Sequence, residues 1–357
     1  MASPSSPLPP PSSSWVILGS IPRVSTPADG GDASVALTAP PRVSILTVSP
    51  RVFPDPPTPR YFPFVLAADP SGLLLLQANL RCTPTREVID RPDNKSVSWK
   101  LDNRRYFVLD ATTSSSFQLP DPEANIMHQA LLGPSSAWTR PRFSASLPRL
   151  GSVITCDPFA DEPVLGFIPF PPERVLKCRE GWGVTDKYRY VGVSGGKLRF
   201  VDTYMGKRAR GNGAPTISVW TLADPDSMEW TLEHEARFAE IWADQSYKAT
   251  GLPNKIPTLA LIHPKNPDVV YFFLEEHLFG VNLPTRKVVE CEVYGVVAPP
   301  SLRIATRFVR AWELPRALSS GNWTDGINLA EETFTRPYQP SPGDYHLVGD
   351  TRQTFIG

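Results

Sequence analysis

From "WVILGSIPRV" at Trp15 onward, apolar residues fall in short runs, many β-branched or aromatic and many alternating with polar positions. Pro, Gly, Asp and Ser bound these runs. A period of two puts one face of an extended chain inward, so the pattern predicts short strands joined by tight turns. Three segments share one layout: "VLAADPSGLLLLQA" around Pro70, "VITCDPFADEPVLGFIPF" around Pro158 and "LALIHPKNPDVVYFFLEE" around Pro264. Each is an apolar strand, a polar residue with Pro opening a turn, and a second apolar strand, which is the make-up of a hairpin. A second layout, strand, polar turn and aromatic or β-branched strand, recurs in "YFVLDATTSSSFQLP", "ISVWTLADPDSMEWTLE" and "LFGVNLPTRKVVECEVY".

The three proline turns stand 88 and 106 residues apart. A propeller blade takes about 40 to 50 residues, so each gap is close to two blades. Further hairpin turns are expected near Thr113 and near Gly195. The second layout would then form the outer hairpins of blades, with Val219 or Trp230 buried between neighbouring sheets. Paired β-sandwiches would read much the same. A typical sandwich has about 100 residues, however, and the length here favours one radial fold. The expectation is therefore an all-β, propeller-like domain of about six blades over residues 15–316. It would follow a Ser/Pro-rich tail (1–14) and precede a C-terminal extension or closing strand (317–357). One helical segment interrupts the pattern. In "EARFAEIWADQ", Phe238, Ile241 and Trp242 fall at i, i+3 and i+4, with Gly251 as the stop.

Composition sharpens this picture. The 357 residues include 41 prolines, and proline lacks the N–H that helix interiors and central strands need, so long helices are not expected. Lys plus Arg and Asp plus Glu both number 36. A formal net charge of zero leaves no whole-protein field to gather nucleic acid or anionic lipid. Cys82, Cys156, Cys178 and Cys291 include no C-x-x-C pair, so they read as reduced, buried thiols. The opening "MASPSSPLPPPSSS" has neither a basic start nor an apolar run, which speaks against a secretory signal. An intracellular protein, cytoplasmic or nuclear, is expected. The tripeptides at Asn94 and Asn322 are then accidental matches to the glycosylation pattern. Pro7 and Pro10 make a P-x-x-P within the tail, the spacing that aromatic grooves accept.

The chemistry-bearing motifs are few. Gly192-Val193-Ser194-Gly195-Gly196 fits G-x-S-x-G, the nucleophile elbow of hydrolases. An elbow needs a helix after the turn, whereas "KLRFVDTY" alternates as a strand, so Ser194 is assigned to a hairpin tip. His128, His234, His263, His277 and His346 show no metalloprotease spacing. Glu233, His234 and Glu235 are consecutive and point in different directions, which disfavours a shared ion. No phosphate-binding glycine loop occurs, so no cofactor, metal or catalytic residue is assigned. The basic run "GKRARGNG" supplies Lys207, Arg208 and Arg210 as a candidate interaction loop, an anion patch or a nuclear-import signal.

The phrases "PPRVSILTVSPRVFP", "FPFVLAADPSGLLLLQA", "YVGVSGGKLRFVD", "ISVWTLADPDSMEWTLEHEARFAEIWAD" and "LALIHPKNPDVVYFFLEEHLFGVNLPTRKVVE" resemble the plant domain of unknown function family 1618, which is abundant in grasses. The resemblance runs from about Trp15 to about Arg316 and implies a β-rich protein akin to the domains that follow F-boxes. It supplies no catalytic residues, and no F-box helices precede residue 50. The reading is a non-catalytic interaction scaffold with protein partners. A propeller hydrolase, a carbohydrate-binding module and a substrate receptor of a ubiquitin ligase are the alternatives.

Overall fold

In the computed structural model, the described residues are 14–54, 57, 62–79, 85–91, 94–100, 104–120, 143–147, 152–156, 165–175, 188–203, 214–224, 228–294 and 308–319. Antiparallel sheets dominate them, as the alternation predicts. Three sheets repeat one plan, four strands laid side by side in chain order. The first holds β5 (Pro63–Ala68), β6 (Leu73–Asn79), β9 (Arg104–Asp110) and β10 (Ser115–Gln118). The second holds β14 (Arg189–Ser194), β15 (Lys197–Asp202), β16 (Thr216–Asp224) and β17 (Glu229–Arg237). The third holds β18 (Thr258–Ile262), β19 (Val269–Leu274), β20 (His277–Asn282) and β21 (Lys287–Val293). A ribbon of β7 (Thr85–Arg91) and β8 (Asn94–Lys100) lies in sequence between β6 and β9. A three-stranded sheet is formed by β11 (Phe143–Leu147), β12 (Ser152–Cys156) and β13 (Leu165–Pro169).

A five-stranded sheet joins the two ends of the fold. Strand β1 (Trp15–Gly19) pairs antiparallel with β22 (Val309–Glu313), from Trp15 opposite Glu313 to Gly19 opposite Val309. On its other side β1 runs parallel to β4 (Val43–Val48), which also pairs with β2 (Arg23–Val24) and β3 (Ala33–Ala36). All five residues of β1 are buried, which is why this segment reads as an unbroken apolar run. Its alternation still matters. Val16 and Leu18 pack with Trp312, Leu74 and Leu76 towards the β5–β10 sheet, while Trp15 and Ile17 pack with Leu261 and Tyr271 towards the β18–β21 sheet.

The remaining interfaces extend the series. Val201, Ile217 and Val219 meet Leu259, Val270 and Phe272 between the second and third sheets. Ile168 and Phe170 meet Phe200 and Trp220 between β13 and the second sheet. Strand β22 lies beside both β5 and β18, and β18 lies beside β14. These are the end strands of their sheets, so consecutive sheets meet along their first strands as the blades of a propeller do. The fold is all-β and propeller-like.

The two recurring layouts now have structural meanings. The first gives the inner hairpins β5–β6 and β18–β19, and it gives β12–β13, the second and third strands of their sheet. The second gives the outer hairpins β9–β10, β16–β17 and β20–β21. Val219 is fully buried between sheets, and Trp230 donates its indole N–H to the Pro169 carbonyl at 2.8 Å.

The expected helix needs correction. Strand β17 runs on through Arg237, and two short helices follow, α1 (Phe238–Ala243) and α2 (Gln245–Thr250). Asp244 divides them because its carboxylate accepts from the Ser246 amide at 2.8 Å, capping a new helix start. Gly251 ends the second in the left-handed region, at φ 71°, as its position after the helical pattern predicts. A last short helix, α3 (Arg316–Ser319), closes the described chain. Among the described residues, no helix is long and apolar enough to cross a membrane.

Candidate functional site

The G-x-S-x-G motif sits at the tip of the β14–β15 hairpin, where Ser194 pairs with Lys197. Gly195 and Gly196 occupy the two central turn positions with φ of 57° and 74°. Positive φ at both defines a type I′ turn, for which glycine carries no steric penalty. Gly192 has a different reason. A Cβ there would stand 2.6 Å from the Tyr190 ring, which folds back over its own strand.

Ser194 is fully buried, and its hydroxyl donates to the main-chain carbonyl of His263 at 2.6 Å. The adjacent Gly195 amide donates to the Pro264 carbonyl at 2.7 Å. One inner turn is thereby fastened to the next. The His263 imidazole is used elsewhere: its Nδ1 accepts from the amides of Lys265 and Asn266 at 3.0 and 2.9 Å, shaping the β18–β19 turn. Its ring lies 4.4 Å from the Trp15 ring, and burial holds its pKa down at about 4. Lys265 continues the chain of contacts, donating to the Ser14 hydroxyl at 2.8 Å and approaching Glu313 at 3.8 Å.

Along the inner strands, Arg310 of β22 donates to the Val65 carbonyl at 2.8 Å and lies 6.0 Å from the centre of the Phe64 ring. Burial pushes the Tyr190 hydroxyl up to about 12, an effect that Arg310 offsets in part. Burial likewise raises the Glu290 carboxyl, which accepts from the Tyr271 hydroxyl.

A polar row crosses the second sheet that sequence reasoning missed. Arg189, Asp202, Ser218 and Glu235 face one another on successive strands. Arg189 and Asp202 are about as buried as side chains become, at 1% and 0% exposure, with Nη2 to Oδ2 at 3.2 Å. The same Nη2 donates to the main-chain carbonyl of Arg174 at 2.7 Å. Arg174 belongs to a single 3-10 turn, Pro172–Arg174, after β13. Its guanidinium approaches Asp202 at 3.7 Å and Glu235 at 3.9 Å. Phe170 and Phe200 stack at 4.1 Å, and the Arg189 guanidinium lies within 6 Å of both rings. The sequence does hold a signal: period two places Arg189 in phase with Val191, and Asp202 in phase with Phe200, so both charges point inward.

Glu233, His234 and Glu235 separate as expected. Glu233 pairs with Arg199, His234 lies 2.8 Å from Asp268, and Glu235 faces Arg174. Among the described residues, no three His, Cys, Asp or Glu side chains gather where they could hold a metal ion. Cys291 is a free thiol on β21, pushed up by burial and then by Glu292. The candidate loop of Lys207, Arg208 and Arg210 lies outside the described residues, as do His128, His346, Cys82, Cys178 and the P-x-x-P tail.

The central third of the chain carries the family signal. Residues 150–271 match the model of a family described as a protein of unknown function, DUF1618. That stretch covers the Ser194 hairpin, the polar row, the helices α1 and α2, and the inner hairpin of the third sheet as far as Tyr271. No curated protein matches the chain. Among solved structures it is similar to a chain of the mitotic checkpoint complex, with 13% identity over 66% of this chain and 68% of that one, at a TM-score of 0.26. It is also similar to the β-propeller domain of Myceliophteria thermophila Cps50 (Swd1), with 12% identity over 67% and 70% of the two chains, at a TM-score of 0.25.

Proposed function

We propose that this chain is a non-catalytic interaction scaffold, an all-β frame that holds loops and outer strands in place for a protein partner inside the cell. One observation carries the reading. The glycines and the serine of its hydrolase-like motif each have a structural use: Gly192 makes room for Tyr190, Ser194 tethers the next turn, and Gly195 with Gly196 forms the hairpin bend. Rigid frames with groups committed to tethering serve binding through the loops they carry. The proposal extends the family likeness to the plant domains that follow F-boxes, with the candidate loop at Lys207, Arg208 and Arg210 as a contact region.

Two measurements test it. A fluorophosphonate probe is expected to leave Ser194 unlabelled in the native protein; labelling at Ser194 overturns the non-catalytic reading. Affinity capture from native tissue, followed by mass spectrometry, is expected to return a protein whose recovery falls when residues 206–213 become a Gly-Ser linker. Equal recovery with both chains removes that loop from the proposal.

A further inference from the structure

Each four-stranded sheet ends in an outer strand with one main-chain edge left over, and the three edges are treated differently. β10 spans only four residues. On β21 the Val288 amide donates to the Ser246 hydroxyl at 2.8 Å, so helix α2 occupies that side. β17 spans nine residues, with no proline or lysine among them. A bulge at Glu233, which pairs with Arg199, leaves the pairing with β16 regular on either side. Among the described residues, the outward edge of β17 from Trp230 onward is met only near its far end, where the Glu235 carbonyl accepts from Arg286 at 3.2 Å. Natural sheets blunt a long edge with proline, lysine or a cover, and an edge left open is a template for another strand.

The chemistry of the edge selects the occupant. Leu232 is 42% and Met228 47% exposed, which gives an added strand apolar contacts. Glu229, Glu233 and Glu235 outnumber Arg237 along the strand, and Glu235 is 53% exposed. A second copy would bring carboxylates towards carboxylates, whereas a basic strand would meet opposite charges.

We propose that β17 docks an extended segment of another protein, one bearing lysine or arginine at alternating positions, as a fifth strand of the second sheet. Main-chain bonds to the edge hold the segment, and the glutamates select it. This partner chemistry rests on the scaffold reading above.

The test uses the full chain and a short fluorescent peptide that alternates valine with lysine, read by anisotropy at physiological ionic strength. Saturable binding is expected. A twin that alternates valine with glutamate should bind about tenfold more weakly, and so should a twin methylated on its main-chain nitrogens, which cannot donate to the edge. Leu232→Lys places a cation at an exposed edge position, so it should keep the melting temperature of the parent and weaken binding about tenfold. Val293→Lys, at an exposed position on β21, should bind as the parent does. No saturable binding, equal binding of either twin, equal binding by Leu232→Lys, or a matching loss in Val293→Lys overturns the proposal. So does a dimer of the parent that Leu232→Lys dissolves. Failure of the scaffold reading looks different: affinity capture from native tissue then returns no protein, whereas a partner captured equally well by Leu232→Lys refutes the edge alone.

Discussion

Ser194 and the main-chain carbonyl of His263 meet at 2.6 Å, which ties the inner turn of one sheet to the inner turn of the next. The Ser194 side of the bond is fully buried, and the His263 side is partly so. Ser194→Ala is therefore expected to destabilise the fold by about 1 kcal/mol, the net worth of a typical intramolecular hydrogen bond. Urea unfolding should show a lower midpoint at unchanged slope. A variant as stable as the parent would mean that the contact does not bear on the fold.

His263 makes stability depend on pH in a predictable direction. Its pKa is about 4 in the fold, because the ring is buried and the nearby Lys265 charge disfavours a second positive charge, against an ordinary value of 6.5. Between those values the unfolded chain binds a proton that the folded one refuses, so stability falls as pH drops from 6.5 towards 4. Above pH 6.5 the imidazole is neutral in both states and contributes no slope. His263→Asn, whose side-chain oxygen can accept the same turn amides, should flatten this part of the profile. An identical profile in the variant would assign the slope to other groups.

The Arg189–Asp202 pair is buried on both sides, at 1% and 0% exposure. Asp202→Asn strands the guanidinium among Phe170, Phe200 and the sheet, with an expected loss of about 3–5 kcal/mol. Replacing both partners together by Met and Leu should cost less than the single change, since neither member of the pair is then left as a lone buried charge. A double-mutant cycle in guanidinium chloride measures the difference.

Trp312 is fully buried where the closing sheet meets the β5–β10 sheet, and its indole N–H donates to the Asp69 carbonyl at 2.8 Å. Trp312→Phe keeps most of the contact but forfeits that bond and leaves a void, for an expected loss of about 2–3 kcal/mol. Thermal unfolding followed by far-ultraviolet circular dichroism reads it directly.

Local chemistry is legible in the sequence, and long-range pairing is not. The turn at Pro70 is announced by Asp69, whose carboxylate accepts from the Ser71 amide, and by Gly72, at φ 103°. The turn at Gly195 is announced by its two glycines. In both, the residues that force the bend are those that make it. The pairing of Trp15 with Glu313 involves partners far apart in sequence, and a strand's alternation says which face is buried but not which strand lies beside it. The division of the helical segment at Asp244 was hidden for a similar reason. Periodicity marked the apolar face, while the break depends on a competing bond between a carboxylate and one amide. The polar row stood in plain sight as inward-phase charges, but its meaning needed Arg174, which comes from the turn that follows another sheet.

The pairing of β1 with β22 also sets a timetable. During synthesis the first strand emerges from the ribosome long before the last, so Trp15–Gly19 must wait for Val309–Glu313 to be made. Until then its wholly apolar face is a liability that a chaperone would shield. The same adjacency brings the start and finish of the frame together, so a permuted gene that joins them and opens a hairpin elsewhere should yield the same architecture.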